Sequence, residues 1–176
     1  VENAVPVSPG HHATLDELRT LELTAAWPHA VLERLVSLAT IQQARAGTAL
    51  FREGQTADWI AVLASGTVVL EMSVPARGGV RLLTLARGDL LGWSAVLGGG
   101  AVTATAIAQS DVRLVRFEGE ELAALCDRDH EVGFHVMRRL AWALSRRLTA
   151  TRLQLLDLYS PVAPVIPDAA PREVTA

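Results

Sequence analysis

The spacing of apolar positions changes character twice along this chain. Up to about residue 40 it is helical. Thr14 precedes Asp16 and Glu17, which suits an N-cap followed by an acidic first turn, and Thr24 is a second candidate cap. Pro28 suits a first helical position, after which Val31, Leu32, Leu35, Val36 and Leu38 recur on one helical face. Two or three short helices are predicted, behind a loose segment 1–13 that contains Pro and Gly.

From Gln42 to Arg116 the apolar runs become short, rich in Val, Leu, Ile and Thr, and separated by turn residues. They predict strands at Gln42–Ala44, Ala49–Phe51, Trp59–Ser65, Thr67–Ser73, Val80–Leu85, Leu90–Leu91, Val102–Ala108 and Val112–Phe117. The turns carry Gly47, Gly54, Gly66, Gly78–Gly79, Gly88 and Gly98–Gly100. Short strands at this regular spacing predict a mainly β fold with flanking helices: a sandwich, jelly roll or double-stranded β-roll.

From Glu118 the helical period returns, with a short helix at Glu120–Asp127 and a long one, capped by Asp129, from His130 to about Tyr159. Pro161, Pro164 and Pro167 end it and open a proline-rich tail, 160–176. The predicted organisation is a loose segment 1–13, a sensor domain 14–128 with its helical lead-in, a dimerisation helix 129–159 and the tail.

Within the long helix Phe134, Met137, Ala141, Leu144, Leu148, Thr151, Leu155 and Leu158 keep an unbroken 3-4 spacing, widened on one side by Val136, Leu140, Leu153 and Leu156. Arg138, Arg139, Arg146, Arg147 and Arg152 lie mostly off this seam. Its first turns are expected to pack on the β-domain. A helix of about thirty residues is roughly 45 Å long, however, against about 30 Å for a small domain. The overhanging apolar stripe calls for another surface, and a second copy of the same helix is the simplest, giving a parallel coiled-coil homodimer.

Composition narrows the function. Half of the 176 residues are apolar, a fifth are charged, and the net charge is −3, which is no electrostatic footprint for nucleic acid or an anionic membrane. Every basic residue is Arg, which fits a GC-rich bacterial genome. The one cysteine, Cys126, excludes an internal disulfide and multi-cysteine metal or iron–sulfur sites, and reads as a buried thiol in a reducing cytoplasm. No charge falls between Asp89 and Asp111, but Gly98, Gly99 and Gly100 break any spanning helix there. His11, His12, His29, His130 and His135 lack the i, i+4 spacing of a helical metal site. No nucleophile–base signature or phosphate loop is present, so neither an enzyme nor a metal protein is expected. No basic helix-turn-helix follows the long helix, so no DNA binding by this chain is expected.

Several segments are more specific: Phe51-Arg-Glu-Gly54, Val62-Leu-Ala-Ser-Gly66, Gly88-Asp-Leu-Leu-Gly92, Val102-Thr-Ala-Thr105 and Arg146-Arg-Leu148. Set in this order across residues 20–158, they resemble the cyclic-nucleotide-binding domain of the catabolite activator (Crp/Fnr-type) family and of kinase regulatory subunits. The resemblance implies a β-roll sensor with a phosphate-binding cassette from Gly92 to Thr103, and a dimer helix whose Thr151 stands where bacterial regulators read the purine. In binders of the family a glutamate after the cassette glycine accepts from the ribose 2′-hydroxyl, and an arginine near its end holds the cyclic phosphate with a forked contact.

Here Trp93 stands for the glutamate and Val102 for the arginine, while Gly92, Ser94, Ala95 and Thr103 keep their places. A charge-assisted hydrogen bond contributes about 1.5–3 kcal/mol, so losing two weakens binding by about 150-fold to more than about 10,000-fold. Arg81 and Arg87 are candidate substitute cations. The sequence therefore predicts a homodimeric regulatory sensor that does not hold cAMP in the usual way. Its effector is left open between a weakly held cyclic nucleotide and a less charged ligand stacked near Trp93. Two alternatives stand beside it: a ligand-free dimerisation or protein-interaction module, and the effector half of a Crp/Fnr-type transcriptional regulator.

Overall fold

A helical lead-in begins the fold. The computed structural model describes residues 10–159 except 76, 77 and 99, with side chains through Leu153; the proline-rich tail lies outside the described residues, as do residues 1–9 of the segment expected to be loose. The end of that segment is not loose. His11–His12 form a short strand (β1) antiparallel to Thr40–Ala44 (β2), and Ala13 is buried. Gly10 permits the approach, since a Cβ there would stand 2.6 Å from the Ile41 carbonyl oxygen.

Helix α1 (Leu15–Thr20) carries a complete capping box: the Thr14 hydroxyl accepts from the Glu17 amide and the Glu17 carboxylate accepts from the Thr14 amide. Thr24 caps nothing. It is buried in the turns after α1, where its hydroxyl donates to the Leu18 carbonyl. Helix α2 (His29–Val36) starts one residue after expectation, with Pro28 at the cap, and buries Val31, Leu32 and Leu35.

The strands form two sheets. One has the order β1-β2-β9-β4-β7, with β4 at Trp59–Ser65, β7 at Leu90–Leu91 and β9 at Val112–Glu118. The other has the order β3-β8-β5-β6, from Ala49–Phe51, Thr105–Ala108, Val68–Val74 and Gly78–Leu85. All pairings are antiparallel, as in a β-roll. The first sheet is covered twice. Ile60, Val62, Val115 and Phe117 join a core with α1, α2 and the later helices, while Ala61, Leu63 and Leu114 face the roll interior beside Val68, Leu85 and Ala106. This explains the near-continuous apolar run of β4, a strand buried on both faces.

Helix α3 (Ser94–Leu97) follows β7, and α4 (Gly119–Arg128) follows β9 directly. Helix α5 spans His130–Tyr159, and Asp129 accepts from the Val132 amide as predicted for its cap. Contacts divide the chain into two units, Val1–Ala143 and Leu144–Ala176. Val132, Val136 and Leu140 are buried in the first unit's core. Val136 and Leu140 therefore belong to an inward face and do not widen the outer stripe.

Candidate functional site

The cassette starts where β7 ends. Gly92 adopts φ +70°, and a Cβ there would stand 2.3 Å from the Trp59 carbonyl oxygen. Only glycine can both turn and lie flat against β4 at this point. Trp93 precedes α3, which lacks a side-chain cap and ends at Gly98 in the left-handed conformation. Ser94 and Ala95 are half-buried in its first turn. Ala95 presses on the start of α4: a Cβ on Gly119 would stand 2.7 Å from Ala95 Cβ.

The strand expected from Val102 begins three residues later, at Thr105. Val102 instead makes two backbone bonds to the turn after β3. Its amide donates to the Gln55 carbonyl at 2.8 Å, and its carbonyl accepts from the Gly54 amide at 2.9 Å. The Val102 side chain is 7 % exposed and Thr103 is exposed. The position expected for the phosphate-binding arginine is thus a buried isopropyl group on a loop tied down by its main chain.

The indole of Trp93 packs against the helical-side core and not against the core inside the roll. Leu70 and Leu83, on the inner faces of β5 and β6, stay only partly buried. The candidate substitute cations turn elsewhere. Arg87 donates to the Thr20 carbonyl at 2.9 Å, and Arg81 is exposed on β6, opposite Glu71.

Sequence reasoning passed over a different cation. Arg116 shares the face of Leu114 on β9, and its guanidinium carbon lies 5.4 Å from the centroid of the Trp59 ring. It pairs with Glu118 at 2.8 Å, while its Nε is buried with no hydrogen-bond partner. Phe51 meets Trp59 at 5.6 Å between ring centroids. Strict alternation carried the signal, for Trp59, Ala61 and Leu63 on β4, like Leu114, Arg116 and Glu118 on β9, share one face. The pairing register sets Arg116 beside Ala61 and Glu118 beside Trp59, the residue that touches Gly92.

The sequence profile of the cyclic nucleotide-binding domain matches residues 41–129, half of the chain. The chain belongs to the cyclic nucleotide-binding domain family. Solved structures agree. A cyclic nucleotide-binding domain from Methylobacillus flagellatus superposes with a TM-score of 0.75 at 18 % identity, covering 92 % of each chain. The catabolite activator protein of Thermus thermophilus gives 0.63 at 26 % identity, over 77 % of this chain and 62 % of that one. A c-di-GMP responsive global regulator of Xanthomonas campestris gives 0.67 at 17 % identity, over 74 % and 64 %. No curated protein matches.

The expected dimer seam maps onto one side of α5. Phe134, Met137, Ala141, Leu148 and Thr151 are exposed and Leu144 is half-buried; Leu155 and Leu158 lie outside the described side chains. The Thr151 hydroxyl donates back to the Arg147 carbonyl at 3.0 Å. Burial pushes the Cys126 thiol above its ordinary range, as suits an unreactive cysteine. Among the described residues no helix is long and apolar enough to cross a membrane.

Proposed function

We propose that this chain is a homodimeric, non-catalytic regulatory sensor of the cytoplasm whose roll does not grip cAMP through the family's usual pair of charges. The observation that carries this reading is the pairing of an intact cassette backbone, Gly92 to Gly98, with Trp93 and Val102 at the two charged positions. Trp93 is committed to the helical-side core, and Val102 to a buried, backbone-bonded loop. An anion in the roll would meet no counter-charge from the cassette, which is costly where water is excluded.

Leu70 and Leu83 stay only partly buried on the inner faces of β5 and β6, which favours a sensor over a ligand-free module. Phe51, Trp59 and Arg116 suit an effector with an aromatic ring and little charge. Such a ligand acts by binding two arrangements of the cassette and α5 with different affinity. A second reading, the effector half of a Crp/Fnr-type transcriptional regulator, is favoured by the alignment over 62 % of the Thermus protein.

Calorimetric titration with cAMP and cGMP tests the proposal. The parent protein is expected to give no saturable heat below millimolar nucleotide. A Trp93→Glu/Val102→Arg double variant that restores both contacts is expected to tighten cAMP binding by about 150-fold or more. Micromolar affinity in the parent overturns the reading.

A further inference from the structure

Among the described residues two buried side-chain polar atoms have no hydrogen-bond partner, His135 Nδ1 and Arg116 Nε. The first need carry no proton, since one nitrogen of a neutral imidazole is bare. The second always carries one, because a guanidinium has five N–H donors and no acceptor. Burying that N–H unpaired costs stability, and an acceptor that reaches it recovers the loss. The rest of the group is engaged. Arg116 Nη2 pairs with the Glu118 carboxylate at 2.8 Å, and the guanidinium carbon lies 5.4 Å from the centroid of the Trp59 ring. Phe51 meets Trp59 at 5.6 Å and 58°, a tilted pair against which a further ring packs well. Phe51, Trp59 and Arg116 are each half-buried. Phe51 stands on β3, an edge strand of three residues whose register with β8 shifts between Ala49 and Phe51. It is the wall of this cluster that yields most readily.

We propose that this corner of the roll takes an uncharged planar ring bearing a carbonyl group, as an aromatic amide does. The carbonyl accepts from Arg116 Nε, and the ring packs on Phe51 and Trp59. The orphan donor sets the need for an acceptor. Charge sets its kind: Glu118 already balances the Arg116 guanidinium, so a carboxylate brought there would face a second carboxylate. The proposal rests on the reading of the roll as a sensor for a weakly charged effector, and it gives that effector a chemical class. The position matters to regulation. The Trp59 carbonyl is the group that lies against Gly92, so a ring that displaces Trp59 bears on the start of the cassette.

Nitrogen-resolved NMR of the arginine Nε–H groups in the full chain, titrated with benzamide, benzoate and toluene, tests the site. The Arg116 signal is identified by its loss in Arg116→Lys. Benzamide is expected to move it downfield, saturably, at millimolar concentration. Toluene, which has no acceptor, is expected to leave it in place, and benzoate to bind about tenfold more weakly than benzamide. Glu118→Gln, a change at an exposed side chain that makes no capping hydrogen bond, is expected to reverse that order by freeing the Arg116 charge for benzoate. The proposal is overturned if benzamide leaves the Arg116 signal still, if toluene moves it as far, if benzoate matches benzamide in the parent, or if Glu118→Gln leaves benzoate the weaker ligand. Such a failure with cAMP still silent removes this ligand class alone, whereas micromolar cAMP affinity removes the sensor reading beneath it.

Discussion

At the residue scale, two glycines with similar φ separate backbone strain from contact. Gly88 has φ +88° with open space around it, and Gly92 has φ +70° against the Trp59 carbonyl. Gly88→Ala meets only the cost of a left-handed conformation, about 1–2 kcal/mol. Gly92→Ala adds a methyl against backbone that cannot yield without moving β4, so we expect it to cost more than about 3 kcal/mol. Urea unfolding of the two variants measures the difference, and equal midpoints would show that β7 is free to drift from β4. Gly88 was visible in the sequence as a turn signal and Gly92 as the cassette glycine of the family resemblance; the contact that distinguishes them is made by a residue more than thirty positions away and has no sequence signature. The same holds for Val102. Its identity was legible as a lost arginine, but its place at the start of a short run rich in Val, Ile and Thr predicted a strand, whereas the two bonds to the turn at Gly54 and Gln55 hold it in a loop.

At the element scale, the junction of α4 and α5 is an ion-paired cap. Asp129 accepts from the Val132 amide at 3.1 Å and from Arg34 at 2.6 Å, and Arg34 also holds Glu131 at 2.7 Å. The Val132 amide, and next to it the Arg34 charge, keep the Asp129 carboxyl below its ordinary value of 3.8. A carboxyl depressed in the folded state stabilises it fully above the unfolded pKa and loses that contribution as pH falls through the folded one. Stability is therefore expected to fall below about pH 4, and Asp129→Asn, which keeps a good cap but not the charge, is expected to flatten that limb. Thermal unfolding from pH 7 to 3 reads both curves; parallel acid limbs would show that the pair contributes nothing. Helix α5 itself was legible as a 3-4 repeat. Its second apolar face was not, because Val136 and Leu140 sit close enough to the seam in sequence to pass for a widening of it. Burial in the helical core assigns them to the opposite duty.

At the scale of the whole molecule, exposed large apolar side chains concentrate on α5: Phe134, Met137, Trp142, Leu148 and Leu153, against Leu97 elsewhere among the described residues. Of these, Phe134, Met137 and Leu148 share one side of the helix, and an exposed apolar row of this kind marks an interaction surface. Its 3-4 spacing over Phe134, Met137, Ala141, Leu144 and Leu148 is that of a two-stranded seam. In a parallel pair related by a two-fold axis each seam residue faces its own copy. Leu148→Asp would then remove two buried leucines and set two carboxylates against each other. Burying one leucine is worth about 1.5–3 kcal/mol, so two correspond to roughly two to four decades in dimer dissociation constant. Leu148 is 53 % exposed within the chain, so the substitution should leave the roll folded and its circular dichroism unchanged. Sedimentation equilibrium separates the outcomes: a dimeric parent beside a folded monomeric variant supports the two-fold seam, whereas a parent monomeric at 100-fold the concentration of a typical micromolar complex, or a variant that stays dimeric, removes α5 as the dimer element. A monomer with that stripe still bare would turn the reading toward a different protein as its partner, docked along the helix face that the 3-4 repeat keeps apolar.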